Sequence, residues 1–201
     1  MDESKQNSGN RKRLHGRRSI RLKGYDYSQD GLYFITICCQ NRICRLGHVE
    51  NGKMILNKYG QIAHDEWIKL SDRFPNFQLD VFQIMPNHMH GIIALVGATL
   101  AVAPTNAVAP TNAVAPTNAV APNDTVNPVP SATSGDIVGA YKSLVANGCL
   151  DIYISNNEIM GKFWQRNYYE SIIRDEQSYH RISRYIINNP GNWSEDKFYS
   201  K

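Results

Sequence analysis

The sequence predicts an α+β domain in which a central antiparallel sheet carries helices on one face. Three observations carry this reading. Short runs rich in aromatic and β-branched residues recur along the chain, and segments of helical period separate them. With one repetitive insertion set aside, the order is strand, strand, helix, strand, strand, helix, helix.

Residues 32–40 (LYFITICCQ) form the first strand, since aromatic and β-branched side chains suit a pleated, half-buried surface. Residues 49–55 contain Asn51-Gly52, a hairpin-type turn that brings a short second strand alongside. Residues 57–70 set Ile62, Trp67 and Leu70 among polar residues, which predicts an amphipathic helix with Asn57 as its cap. Two strands follow, 77–85 and 91–96, joined by the link 86–90. Residues 136–145 predict a second helix. Residues 175–189 predict a third, capped by Asp175 and stopped by Pro190.

The chain of 201 residues is long enough for one domain and an insertion, and its 42% hydrophobic content can close a core. The insertion covers 97–134. AVAPTN occurs three times in tandem, followed by AVAPND; Asp124 is the only charge, and six of the nine prolines fall there. Proline every sixth residue blocks a long helix, so this tract is expected to be a disordered loop inside a domain made of 25–96 and 135–201. Residues 1–24 form a basic arm: Arg11, Lys12, Arg13, Arg17, Arg18, Arg21 and Lys23 lie together without an acid. With a net charge of +4, such an arm suits a solvated tail or a phosphate backbone. Cys38, Cys39, Cys44 and Cys149 make no CxxC pair, so reduced structural thiols are expected. The longest apolar stretch, 91–103, is too short to span a bilayer, and the polar N-terminus lacks a secretory pattern; a soluble intracellular protein is expected.

Three motifs carry chemistry. In MPNHMHG (85–91), His88 and His90 point to one face if the segment is extended, as two neighbouring ligands of a divalent metal would; hydrogen-bonded histidines share this spacing. In YIINNP (185–190), Tyr185 and Asn189 are one helical turn apart, so an amide oxygen can bind a metal while a phenol aims at a group on it; a plain helix end reads the same way. In FWQRNYYE (163–170), aromatics alternate with Arg166, as in a base-stacking and phosphate-holding surface or a core cluster; Tyr168 and Tyr169 are rival nucleophiles.

Together with RRSIRLKGYDYSQDGLYFITICCQNR and IVGAYKSLV, these motifs resemble the REP-associated tyrosine transposases, of the single-tyrosine HUH superfamily that includes the IS200-like enzymes. The resemblance runs from Arg17 to Trp193, the repeats excepted. It implies a ferredoxin-like or RNA-recognition-like palm with the catalytic tyrosine on a C-terminal helix. It implies His88, His90 and Asn189 as ligands of Mg²⁺ or Mn²⁺ and Tyr185 as the nucleophile. The activity implied is metal-dependent cleavage and rejoining of single-stranded DNA at hairpin-containing repeats, through a 5′-phosphotyrosine. The DNA contacts expected are the basic arm, Lys142, Trp164 and Arg166, in a cytoplasmic, nucleoid-associated protein with no membrane partner. Monomer and homodimer both remain open. The alternative from another class is a domesticated, non-catalytic single-strand-binding protein on the same fold. A two-histidine-motif phosphoesterase needs two separated His-x-Ser/Thr motifs, which are lacking. A His-x-His amidohydrolase barrel needs about 250 residues.

Overall fold

Residues 29–96 and 131–199 of the computed structural model are described here; the basic arm, with Arg11, Lys12, Arg13, Arg17, Arg18, Arg21 and Lys23, and the hexapeptide repeats lie outside the described residues. Strand β1 (Gly31–Cys38) leads into a hairpin, β2 (Gly47–Glu50) and β3 (Lys53–Leu56), then helices α1 (Lys58–Ile68) and α2 (Leu70–Arg73). Strands β4 (Phe77–Met85) and β5 (His88–Leu95) follow, then α3 (Ser134–Ser155), β6 (Tyr169–Ile173) and α4 (Glu176–Asn188). The four long-range strands pair antiparallel in the order β4-β5-β1-β6. This is the interleaved pair of split β-α-β units of a ferredoxin-like palm, with β2–β3 as an added hairpin.

Local chemistry explains most of the elements. Asn51 and Gly52 both take positive φ (51° and 71°), the geometry a two-residue hairpin needs. Asn57 caps α1 by accepting from the Tyr59 and Gly60 amides, and Asp175 caps α4 by accepting from Ser178. Thr133 and Asp136 make a reciprocal capping box at the start of α3. At Gly91 an added Cβ would lie 2.9 Å from the Trp67 ring, so the glycine lets α1 press against β5 beside the two histidines.

Strand alternation builds two unequal faces. Tyr33, Ile35, Ile37, Met89, Ile93 and Leu95 turn toward α1 and α3, where Trp67, Tyr141 and Val145 close the main core. Leu32, Phe34, Ile92 and Ile173 turn the other way and meet Tyr179, Ile182 and Ile186 of α4. The helices therefore do not share one face. The cause is the apolar stripe of α4, which needs a sheet surface of its own, while α1 and α3 already fill the opposite one.

Two expected elements also change their boundaries, and one strand is new. β5 begins at His88 and not at 91, because the β4–β5 link is only a two-residue turn and the histidines belong to the strand. β6 was not expected at all. Its five residues pair with β1 (Thr36 with Tyr169, Leu32 with Ile173), a tertiary contact that the aromatic run 163–170 obscures. α3 starts at Ser134, inside the tract expected to be irregular, and runs ten residues beyond the expected 145, because the capping box fixes its start. Asn76, 7% exposed, ties the end of β5 to the approach to α3: its backbone carbonyl accepts from Val96 N–H at 3.0 Å, and its side-chain amide donates to the Ala132 carbonyl at 2.8 Å.

Candidate active site

His88 and His90 leave β5 on the face that α4 crosses, and both are fully buried. Their Nε2 atoms are 3.0 Å apart. The neighbours decide which nitrogens carry protons. The Asn87 amide donates to the carbonyls of Phe198 (2.8 Å) and Arg42 (3.1 Å), which turns its oxygen toward His88 Nδ1 at 2.8 Å. His88 Nδ1 therefore donates, and its Nε2 is a bare lone pair. His90 Nδ1 meets the Thr36 hydroxyl at 2.8 Å, a group that can donate or accept, so His90 can present its own Nε2 lone pair as well. Burial pushes the His88 imidazole down to about 3 and His90 well below its usual range, so both are neutral at physiological pH.

Tyr185 approaches from α4. Its hydroxyl is 3.1 Å from His90 Nε2 and donates to Asp196 Oδ2 at 3.2 Å. The ring is 40% exposed and packs edge-on against Phe34. Burial first, then the Asp196 carboxylate, pushes the phenol up to about 12. Asn189 keeps helical dihedrals (φ −56°, ψ −42°) although Pro190 follows, so it stays one turn below Tyr185. It is 2% exposed, donates to Asp196 Oδ2 at 2.7 Å, and leaves Oδ1 buried without a hydrogen-bond partner.

This donor set fits a divalent cation. Two imidazole lone pairs converge, one buried amide oxygen lacks a partner, and His88, His90 and Asp196 each bring a ligand atom within 4.8 Å of the others. Asp196 was missed from the sequence, as were Asn87, Thr36 and Phe198. All four support the site from outside the motifs' own spacing, and only Asn87, inside MPNHMHG, left a trace. Phe198 is 2% exposed, with its ring 4.7 Å from that of His88.

Among known proteins, an uncharacterized protein of Haemophilus influenzae is 40% identical over 186 residues, covering 92% of this chain and 94% of its own. This chain belongs to that protein's family. No protein-family model matches it. The structure of a REP-associated tyrosine transposase bound to a REP hairpin superposes with a TM-score of 0.53 at 17% identity, over 88% of this chain and 76% of that one. The fold is that of the REP-associated tyrosine transposases.

In this transposase fold the remaining expected contacts divide. Arg166 is exposed and lines an open cleft of about 740 Å³ with Gln40, Lys162, Asn167 and Tyr169. Trp164 also borders this cleft, but it is 7% exposed, packs in the main core, and donates its indole N–H to the Lys142 carbonyl, so little of its ring is open to stacking. Lys142 in turn donates to the carbonyls of Gln165 (2.7 Å) and Arg166 (2.9 Å), so its ammonium holds the 165–166 loop. Tyr168 is half-buried and donates to Glu170. Tyr169 is on β6 with Phe198 beside it, and neither tyrosine has the contact with His90 that Tyr185 makes. Among the described residues no helix is long and apolar enough to cross a membrane.

Proposed function

We propose that this chain is a metal-dependent, single-tyrosine transposase that cuts and rejoins single-stranded DNA beside a hairpin, through a 5′-phosphotyrosine. One observation carries the reading: the Tyr185 hydroxyl lies 3.1 Å from one of two buried histidines with converging lone pairs, beside the partnerless Asn189 oxygen. A buried imidazole pair without a carboxylate between them is costly to keep and does little for stability. Next to a phenol it has a chemical use.

His88 Nε2, His90 Nε2 and Asn189 Oδ1 are the residues that would hold Mg²⁺ or Mn²⁺, and imidazole ligands favour Mn²⁺. Such an ion supplies Lewis-acid polarisation of the scissile phosphate. The chain's own groups do the rest. Tyr185 Oη attacks phosphorus in line; a P–O(Tyr) bond forms, the P–O3′ bond breaks, and the leaving oxygen takes up a proton to become a 3′-hydroxyl. Without the ion the phenol is pushed up to about 12, so it is protonated at rest and its proton has to be taken up for the attack. Asp196 Oδ2, 3.2 Å from the hydroxyl, is the acceptor in reach. Phe34 and Phe198 shield the two imidazoles from water. The phosphotyrosine ester keeps the phosphodiester energy, so a second 3′-hydroxyl can rejoin the strand by the reverse step. Hairpin recognition rests on the REP hairpin in the related structure, with the basic arm and Arg166 as the contacts in this chain.

The test is a covalent trap. Protein is incubated with labelled single-stranded hairpin oligonucleotides and Mn²⁺, denatured, and separated by size. We expect an adduct that maps to Tyr185, vanishes in Tyr185→Phe and in excess EDTA, and persists in Tyr168→Phe and Tyr169→Phe. DNA binding without any adduct would instead identify a non-catalytic binding protein.

A further inference from the structure

The nucleophile is on a helix with little to hold it. α4 meets the sheet through three buried residues, Ile92, Ile173 and Ile186, and a fringe of half-buried ones. Among the described residues, two polar contacts pin it to the sheet strands. At its C-terminal half, Tyr185 reaches His90. At its N-terminal half, Tyr179 donates its hydroxyl to Asp80 of β4, at 3.1 Å to Oδ1 and 3.5 Å to Oδ2.

Asp80 is available for this because β4 is irregular there. Pairing with β5 slips between Leu79 and Phe82: Leu79 faces Ile93, but Phe82, three residues on, faces Gly91, only two residues back. One extra residue is thus inserted on β4, a β-bulge. The slip keeps Phe77 and Phe82 with the main core while turning Val81 toward the α4 cluster. The bulge also frees the Val81 N–H from the ladder, and Asp80 Oδ1 accepts it at 2.5 Å. The carboxylate is therefore fixed by its own strand before it meets the helix.

The two pins differ in one respect. During attack Tyr185 Oη passes its proton to Asp196 and must leave His90 to bond phosphorus, so the pin to the sheet at the reacting end is released in the step that needs the helix held. The pin at Tyr179 is six residues away, about 9 Å along the axis, and touches no reacting atom. We propose that Asp80 and Tyr179 are positioning residues that hold the tyrosine helix across the sheet while Tyr185 reacts. This rests on the transposase reading above, and its test separates the two.

Full-length wild type, Tyr179→Phe, Asp80→Ala, Asp80→Asn and the double variant Asp80→Ala/Tyr179→Phe are compared. The probe is a labelled single-stranded hairpin oligonucleotide, from DNA flanking the gene, with Mn²⁺. Tyr179→Phe and Asp80→Ala should each slow single-turnover adduct formation roughly ten- to a hundredfold at saturating DNA, the range expected for a misplaced reacting group. DNA affinity should stay within about twofold, because the loss is one of orientation. Asp80→Asn should keep most of the rate, since one amide oxygen can accept both the Val81 N–H and the phenol. The double variant should be no slower than either single one. Hydrogen exchange should quicken across α4 in the slow variants and not in Asp80→Asn. A wild-type rate in Tyr179→Phe, additive losses in the double variant, or a loss confined to DNA affinity would overturn the proposal. If the wild type itself forms no adduct, the transposase reading fails and exchange alone decides. Quicker exchange confined to α4 would still support the pin, and unchanged exchange would remove it.

Discussion

Asn189 and Asp196 meet through a 2.7 Å hydrogen bond that uses the amide nitrogen of Asn189 and leaves its buried oxygen over. An orphaned buried acceptor costs about 1–3 kcal/mol. Asp196 thus fixes which end of the amide is left without a partner. A cation there would satisfy the oxygen. Calorimetric titration with Mn²⁺ should show binding lost in His88→Ala and in His90→Ala. Asn189→Ala should weaken it less, by about ten- to a hundredfold, because water can replace one amide ligand. Undiminished Mn²⁺ binding in the double histidine variant would exclude this site.

Asn87 should matter almost as much as a ligand. Its oxygen fixes the His88 tautomer, and its nitrogen ties the Arg42 and Phe198 carbonyls to the same point. Asn87→Ala is expected to lower Mn²⁺ affinity about ten- to a hundredfold, the usual loss on removing the group that orients a metal-binding histidine. Titration of that variant with wild-type affinity would show that Asn87 only holds the chain terminus.

The run FWQR should separate into two functions on mutation. Trp164→Ala removes a core side chain and should cost about 3–5 kcal/mol of folding stability, seen as a large fall in denaturant midpoint. Arg166→Ala removes an exposed cation and should leave the midpoint unchanged while weakening DNA binding. Equal midpoints for the two variants would contradict the burial of Trp164.

The basic arm should act on affinity and not on chemistry. Neutralising Arg11, Arg13, Arg17 and Arg18 should weaken single-strand binding and flatten its dependence on salt, since fewer counterions are released. Adduct formation at saturating DNA should survive. Unchanged binding at low salt would leave the arm without this role.

The repeats should be dispensable if the helix cap is respected. Joining Val96 to Ser131 through a short Gly/Ser linker keeps Ala132 and Thr133, and closing a shorter loop changes stability little. Removing Thr133 as well should cost about 1 kcal/mol more, the usual value of a lost cap. Thermal melts of the two deletions check both statements.

How much was legible follows from where each signal lies in the chain. β1, the Asn51-Gly52 turn and the capped helices α1 and α4 rest on local chemistry, so adjacent residues announce them. His88, His90, Tyr185 and Asn189 have spacings, two on a strand and four on a helix, that match the repeat of the element that carries them; hydrogen-bonded histidines and a plain helix end share those spacings, so it was the resemblance to a transposase family that singled the four out. Asp196, Phe198 and Thr36 have no such relation to the motifs and join the site only through folding. β6 escaped because its pairing with β1 is a property of two distant segments. The side taken by α4 escaped because periodicity shows that a helix has an apolar stripe but not which surface covers it.

Asn76 gives the repetitive tract a particular freedom. Because one buried residue holds the strand on its way out through its backbone carbonyl and the approach to α3 on its way back through its side-chain amide, both junctions are anchored at a single point. The hexapeptide unit is a whole number of codons, so replication slippage adds or removes copies without shifting the reading frame. Such changes leave the sequence at both junctions untouched. The number of AVAPTN copies should therefore drift among close strains as a length polymorphism free of structural selection, while Asn76 and the Thr133 cap stay put.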